Sequence, residues 1–209
     1  SALVTTLDAR DRYTAGHSAA VAVYARDIAE HLRCPSEIQQ LAHLSGLLHD
    51  IGKIGVPPGV LEKNGPLTLP ERRKMEEHSV IGERILANVE AYEEIARIVR
   101  HHHERLDGQG YPDGLVGESI PLLSRIICVA DAYNAMTSDR PYRDAMSVNL
   151  ARERLLQAAG TQFDPEVVAA FDELLENASE TYSSGARADF ALEAQAHPEL
   201  VESIEVSAA

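Results

Sequence analysis

A chain of 209 residues is long enough for one well-cored domain with a small appendage, and 44% hydrophobic residues are enough to fold it. The net charge of −14 excludes a broad basic face, and with it a nucleic-acid polymer or an anionic membrane as partner. A small anionic ligand stays open wherever cations reverse the local field. No apolar run approaches membrane-spanning length, and no signal-peptide pattern opens the chain. Cys34 and Cys128 form neither a ligand-like pair nor a disulfide framework, so a cytoplasmic location is expected. The first residue is not Met, which suggests a piece of a longer protein.

Val21, Tyr24, Ile28 and Leu32 recur at helical spacing, and Pro35 closes that helix. Ser36 with Gln39 reads as a capping box for a second helix whose apolar face is Leu41, Leu44, Leu47, Leu48 and Ile51, with Gly52 ending it. The stretch "GKIGVPPGVLEKNGPLTLP" reads as loop. Thr68 and Glu71 form another box, opening a segment that runs on through Ile81, Ile85 and Val89. A helix from about Tyr92 to His103 precedes a glycine-rich loop. "PLLSRIICVADAYNAM" reads as helix with Pro121 in its first turn, and so does Ser147 to Ala159. Asp164 and Pro165 then cap and open one more. No alternating strand pattern survives, so the expected fold class is all-α. From Ala178 onward Ser, Ala and Glu dominate. Residues 1–177 are read as the folded domain and 178–209 as a tail or linker with room for one short helix near Phe190 and Leu192.

Polar residues punctuate the apolar helix faces. His49 and Asp50 stand together in "LLHDIGK", His17 lies at a helix start, His78 sits in "MEEHSVIG", and His102 and His103 lie within "HHHERLDGQGYPDG". Each alone has an ordinary structural reading. Asp131, in "CVADAYNAM", is harder to dismiss, because a carboxylate among apolar residues is costly unless paired or bound to metal. Together these side chains suggest a metal centre built from facing helices. Neighbouring helical residues point about 100° apart, so His102 and His103 can share one centre if the helix unwinds there. Mixed imidazole and carboxylate donors suit iron, manganese, zinc or nickel over magnesium or calcium. Asp50, with two oxygens, could bridge two ions.

The stretches "HDIGKIGVPPGVL", "HHERLDGQGYPDGLVGESIPLLSRIICVADAYNAMTSDRPYR" and "GTQFDPEVV" resemble the HD-GYP family of bacterial phosphodiesterases that hydrolyse cyclic di-GMP, over about Asp8 to Glu176. The resemblance implies an HD-type bundle of about seven helices around a bimetal centre. One metal would be held by His17, His49, Asp50 and Asp131, and the other by Asp50, His78, His102 and His103. It implies two divalent ions, iron or manganese first, with zinc, nickel or cobalt as alternatives. Some members carry a Glu supporting a third ion where this chain has Tyr13, a poor ligand at neutral pH because its pKa is about 10. Asn134 and Leu106 replace a frequent Asp and a frequent Trp. The Asp could contact a metal-bound water or the guanine, while the Trp matters for packing.

The implied reaction is metal-assisted hydrolysis to linear pGpG, GMP or both, with Asp50 and Lys53 as catalytic residues. Lys53 would neutralise a phosphoryl oxygen or protonate the leaving group, or is instead a solvated loop lysine; Asp11 is a candidate partner for it. Gly110 and Tyr111 of the "GYP" tripeptide, with Arg140 and Arg143 of "SDRPYR", are the expected substrate contacts alongside Lys53. Either arginine could instead pair with Asp139 or Asp144. His31, His43 and His197 are read as ordinary, and His101 as a helix residue that could support the ligands. The resemblance also implies an N-terminal sensory or receiver domain and admits a diguanylate cyclase (GGDEF) partner or a homodimer. Two other functions fit the same residues: hydrolysis of another cyclic dinucleotide or phosphate ester, and a weakly active cyclic di-GMP receptor.

Overall fold

The computed structural model describes residues 14–63, 65–139 and 144–185. Helices α1 (Thr14–His31) and α2 (Ser36–Leu48) form an antiparallel pair, and the chain continues through a 3-10 turn (Ile51–Gly55) into a short α3 (Pro58–Leu61). Next come α4 (Leu69–Glu76), α5 (His78–Leu86), α6 (Glu93–Arg100), α7 (Leu122–Thr137), α8 (Val148–Ala158), α9 (Pro165–Glu176) and α10 (Glu180–Ser183). There is no β-strand among the described residues, so the chain is all-α as expected.

Helix α1 is central because small and apolar residues cover most of its circumference. Val21, Tyr24, Ala25 and Ile28 join α7, α8 and α9 in one core, where Tyr24, Tyr133 and Phe171 pack ring against ring. Ala19 and Ala22 face the other way, into a second core with Leu47, Leu48, Ile95 and Val99 from α2 and α6. Burying apolar area on both flanks fixes the axis of α1.

Four expectations need correction. The loop expected after Gly52 contains the 3-10 turn and α3; Pro57 and Pro58 preset the backbone for that helical start, and Val60 is buried beneath it. The Ser36–Gln39 box does not form: Ser36 is already helical behind Pro35, and Gln39 donates to the Cys34 carbonyl at 2.9 Å. The Thr68 box does form, with Glu71 accepting from the Thr68 backbone N–H at 2.7 Å. The segment it opens, however, breaks at Glu77, where the His78 ring takes the Met75 carbonyl at 2.6 Å. Finally, α6 ends at Arg100, and residues 101–103 are a turn. The helical periodicity near Phe190 and Leu192 lies outside the described residues.

Candidate metal centre

Five stretches of chain converge beside the N-terminal part of α1. His17 comes from α1, His49 and Asp50 from the end of α2, His78 from the start of α5, His102 and His103 from the turn after α6, and Asp131 from the middle of α7. Ring centroids are 5.3 Å apart for His17–His49, His49–His102 and His78–His102, and 3.9 Å for His102–His103. The unwound turn lets two successive imidazoles face the same space. Potential ligand atoms of His17, His49 and Asp50 lie within 4.8 Å of one another, as do those of His78, His102 and His103. Asp50 spans the groups, with Oδ2 3.4 Å from His49 Nε2 and Oδ1 3.5 Å from His78 Nε2. Asp131 Oδ1 stands 3.1 Å from His17 Nε2.

Helix ends orient three of these rings. The last carbonyls of a helix have no partner within it and carry partial negative charge. His49 Nδ1 donates to Gly46 O of α2 at 2.7 Å, His78 Nδ1 to Met75 O of α4 at 2.6 Å, and His102 Nδ1 to Val99 O of α6 at 2.6 Å. His17 Nδ1 donates instead to Asn134 Oδ1 at 2.7 Å. For His49, His78 and His102 the proton sits on Nδ1 and Nε2 faces inward, while His17 turns its Nε2 to Asp131. A backbone carbonyl or amide behind a metal-binding imidazole serves to fix tautomer and orientation in this way.

The electrostatics agree. Burial, reinforced by neighbouring imidazoles, pushes His102 well below its usual range, and burial takes His103 down to about 3. Burial likewise lowers His78, against the pull of Asp50. For His17, burial acts downward, but the hydrogen bond and charge of Asp131 outweigh it and raise the group. Burial acts upward on Asp50, yet Lys53 and the surrounding imidazoles hold it well below the usual carboxylate range. Against the same upward effect of burial, His17 keeps Asp131 below that range too.

These side chains fit divalent cations on internal grounds. His49 Nε2 is buried with no hydrogen-bond partner. The Nε2 atoms of His78 and His102 are 3.4 Å apart, each a bare lone pair because its ring proton is committed elsewhere. Such contacts are unfavourable unless a cation lies between them, and mixed imidazole–carboxylate donors suit a first-row divalent metal.

The glycine-rich loop forms one wall. Tyr111 lies on His103, with centroids 4.8 Å apart and planes inclined at 34°. A Cβ on Gly110 would come within 2.3 Å of Arg105 N and 2.6 Å of His103 O, so only glycine permits this approach. The buried Glu104 carboxylate accepts backbone N–H groups from Asp113 at 2.7 Å, Gly114 at 3.1 Å and Leu115 at 3.0 Å. Arg100 and His101 hold the same loop from outside through Asp113, at 2.7 and 2.9 Å. His101 thus braces the loop while its neighbours face inward. Lys53 Nζ lies 2.5 Å from Asp50 Oδ2, at the edge of the centre.

Arg140, Arg143, Tyr13 and Asp11 lie outside the described residues. Asn134, which stands where the family more often has Asp, lies behind His17 on its Nδ1 side. His31 pairs with Glu173 at 2.9 Å, away from the centre, and His43 is a buried residue of α2. Glu104 is the functional residue that sequence reasoning passed over. Its signal was a carboxylate directly preceding a loop full of backbone donors.

An all-α domain in which a helix ends in His-Asp, facing imidazoles from neighbouring helices, defines the class of HD domains. A family model described as HD domain matches residues 3–167. The chain belongs to this family, in its HD-GYP branch. The 3′3′-cGAMP-specific phosphodiesterase 3 of Vibrio cholerae serotype O1 is 40% identical over 177 residues, covering 85% of this chain and 38% of its own length. Cyclic di-GMP phosphodiesterase PA4108 of Pseudomonas aeruginosa is 42% identical over 166 residues, 79% of this chain and 40% of its own. The chain therefore spans about two fifths of the length of these curated relatives. The solved structure of Bd1817, a HDG"Y"P protein from Bdellovibrio bacteriovorus, is similar with a TM-score of 0.64 at 18% identity, over 80% of this chain and 54% of that one. Members of the HD family that act on phosphates bind divalent metals, in keeping with the two donor groups. No described helix is long and apolar enough to cross a membrane.

Proposed function

We propose that this chain carries the catalytic domain of a metal-dependent phosphodiesterase that hydrolyses cyclic di-GMP to linear pGpG, GMP or both. The observation that carries the reading is the Asp50 carboxylate, one oxygen toward each donor group, with Lys53 Nζ 2.5 Å from it. His17, His49, Asp50 and Asp131 would hold one divalent ion, and Asp50, His78, His102 and His103 the other, with iron or manganese the first choices. When bound, such ions supply positive charge for the phosphoryl group and make water a nucleophile at neutral pH.

The side chains contribute the rest. Water attacks phosphorus in line and the bond to the ribose 3′-oxygen breaks. Lys53 neutralises a phosphoryl oxygen or donates a proton to that leaving oxygen. Tyr111, seated on His103, offers an aromatic face to a guanine, and Gly110 keeps the loop close. Arg140 and Arg143 would clamp phosphate or guanine, as the family resemblance implies. A regulatory domain preceding this segment, and a diguanylate cyclase partner or a second copy, belong to the same reading, as does a cytoplasmic location.

A second reading changes only the substrate: the relative named for 3′3′-cGAMP, 40% identical, favours a mixed cyclic dinucleotide. Protein reconstituted with Mn²⁺ should be given cyclic di-GMP, 3′3′-cGAMP and a chromogenic diester, with products separated by chromatography. The highest kcat/KM on cyclic di-GMP supports the first reading, and the highest on 3′3′-cGAMP supports the second. Turnover of the chromogenic diester alone, or of none of the three, overturns both.

A further inference from the structure

The HD family match ends at residue 167, yet residues 179–185 pack back onto α1 and α7, the helices that carry His17 and Asp131. Ser179 caps α10 by accepting from Tyr182 N at 3.2 Å. Two buried phenols then grip its main chain: Tyr24 donates to the Tyr182 carbonyl at 2.7 Å, and Tyr133 to the Ser183 carbonyl at 2.9 Å. Tyr24 lies two helical turns from His17 on α1, and Tyr133 lies two residues from Asp131 on α7. The segment is thus fastened to the two helices that deliver those side chains.

It leads into Gly185, whose φ of +66° favours glycine. A Cβ there would stand 3.0 Å from Asn134 Nδ2, 3.1 Å from Ala20 Cβ and 3.3 Å from the Tyr24 hydroxyl. Asn134 is itself 2% exposed. Its Oδ1 accepts from His17 Nδ1 at 2.7 Å and from Ser138 Oγ at 3.2 Å, and its Nδ2 borders, with the Tyr24 hydroxyl, the space a Gly185 side chain would fill.

We infer that Asn134 is a positioning residue for His17, and that residues 179–185 hold Asn134 in the orientation this requires. Tyr24 has one proton, committed to the Tyr182 carbonyl, so toward Asn134 its oxygen can only accept. An amide meets both demands at once, accepting from His17 and presenting N–H to Tyr24. A carboxylate here has no donor and competes for the Tyr24 proton, releasing the Tyr182 carbonyl. The seat of the C-terminal segment and the orientation of one imidazole therefore belong to a single polar chain. The effect on metal rests on the reading of His17 as a ligand; the polar chain does not.

The test uses the full chain labelled with ¹⁵N-histidine, metal-free, with the His17 Nδ1–H resonance assigned. Asn134→Leu should abolish that resonance and weaken Mn²⁺ binding by roughly 10–100-fold in calorimetry. Tyr24→Phe and Gly185→Val, which do not touch His17, should shift the resonance and weaken Mn²⁺ binding in the same direction. Asn134→Asp should keep the resonance but speed amide exchange at residues 182–185. An unchanged resonance in a Tyr24→Phe protein with a cooperative thermal transition overturns the inference, and that variant decides alone if Gly185→Val does not fold. Because the resonance is read without metal or substrate, absence of turnover in the wild type would remove the proposed activity and leave this result standing.

Discussion

His78 and His102 present their Nε2 atoms to each other across 3.4 Å, each with its ring proton held on the far side by a helix-end carbonyl. Two lone pairs so placed, in a buried site, trade stability for a preformed cation seat. Replacing His102 with leucine should therefore raise the melting temperature of the metal-free protein by about 2–4 °C, corresponding to about 1 kcal/mol, while lowering metal retention. Calorimetry on chelator-treated protein checks this. A large fall in melting temperature would mean that the imidazole is structural.

Glu104 binds the loop through both oxygens, Oε1 taking Asp113 and Gly114 and Oε2 taking Leu115. Glutamine supplies only one acceptor and turns an N–H donor against another donor. Glu104→Gln should cost about 1.5–3 kcal/mol, the range for hydrogen bonds to charged groups. A denaturant melt showing wild-type stability would rule out the clamp.

Gly110→Ala places a methyl group against Arg105 N and His103 O, so the loop must shift and Tyr111 must leave His103. Neither core includes a residue of this loop, and the fold should survive. Displacement of a substrate wall by about 1 Å should lower kcat/KM by roughly 100-fold. Unaltered kinetics would show that the loop does not touch the substrate.

Asp113 is held at about 2, below the ordinary 3.8, chiefly by the Arg100 hydrogen bond, with burial opposing and His101 assisting. A carboxylate with a depressed folded pKa contributes stability above its unfolded value and loses it as pH falls through the folded one. The stability difference between wild type and Asp113→Asn should be constant above about pH 4 and shrink toward pH 2. Its size should stay within about 1 kcal/mol, since the pair is partly exposed. A difference that grows on acidification contradicts the assignment.

Much of the fold was written in helical periodicity: Val21, Tyr24 and Ile28 mark the buried face of α1 as plainly as any motif. Asp131 announced itself by its cost among apolar neighbours. What periodicity could not reveal was competition for carbonyls. The His78 ring takes Met75 O and splits one expected helix into two, while residues 101–103 unwind so that two imidazoles share a side. Glu104 and Asn134 were harder to read for a related reason: the backbone amides on Glu104 lie nine to eleven residues on, and the His17 ring on Asn134 lies 117 residues away. Helical spacing carries no trace of such pairings.

The most direct measurement is bound metal and cyclic dinucleotide turnover in Asp50→Ala, set beside wild type loaded with Mn²⁺ or, anaerobically, Fe²⁺. Because Asp50 faces both donor groups, its loss should reduce bound metal and abolish hydrolysis together. Hydrolysis at the wild-type rate would contradict the account at its root.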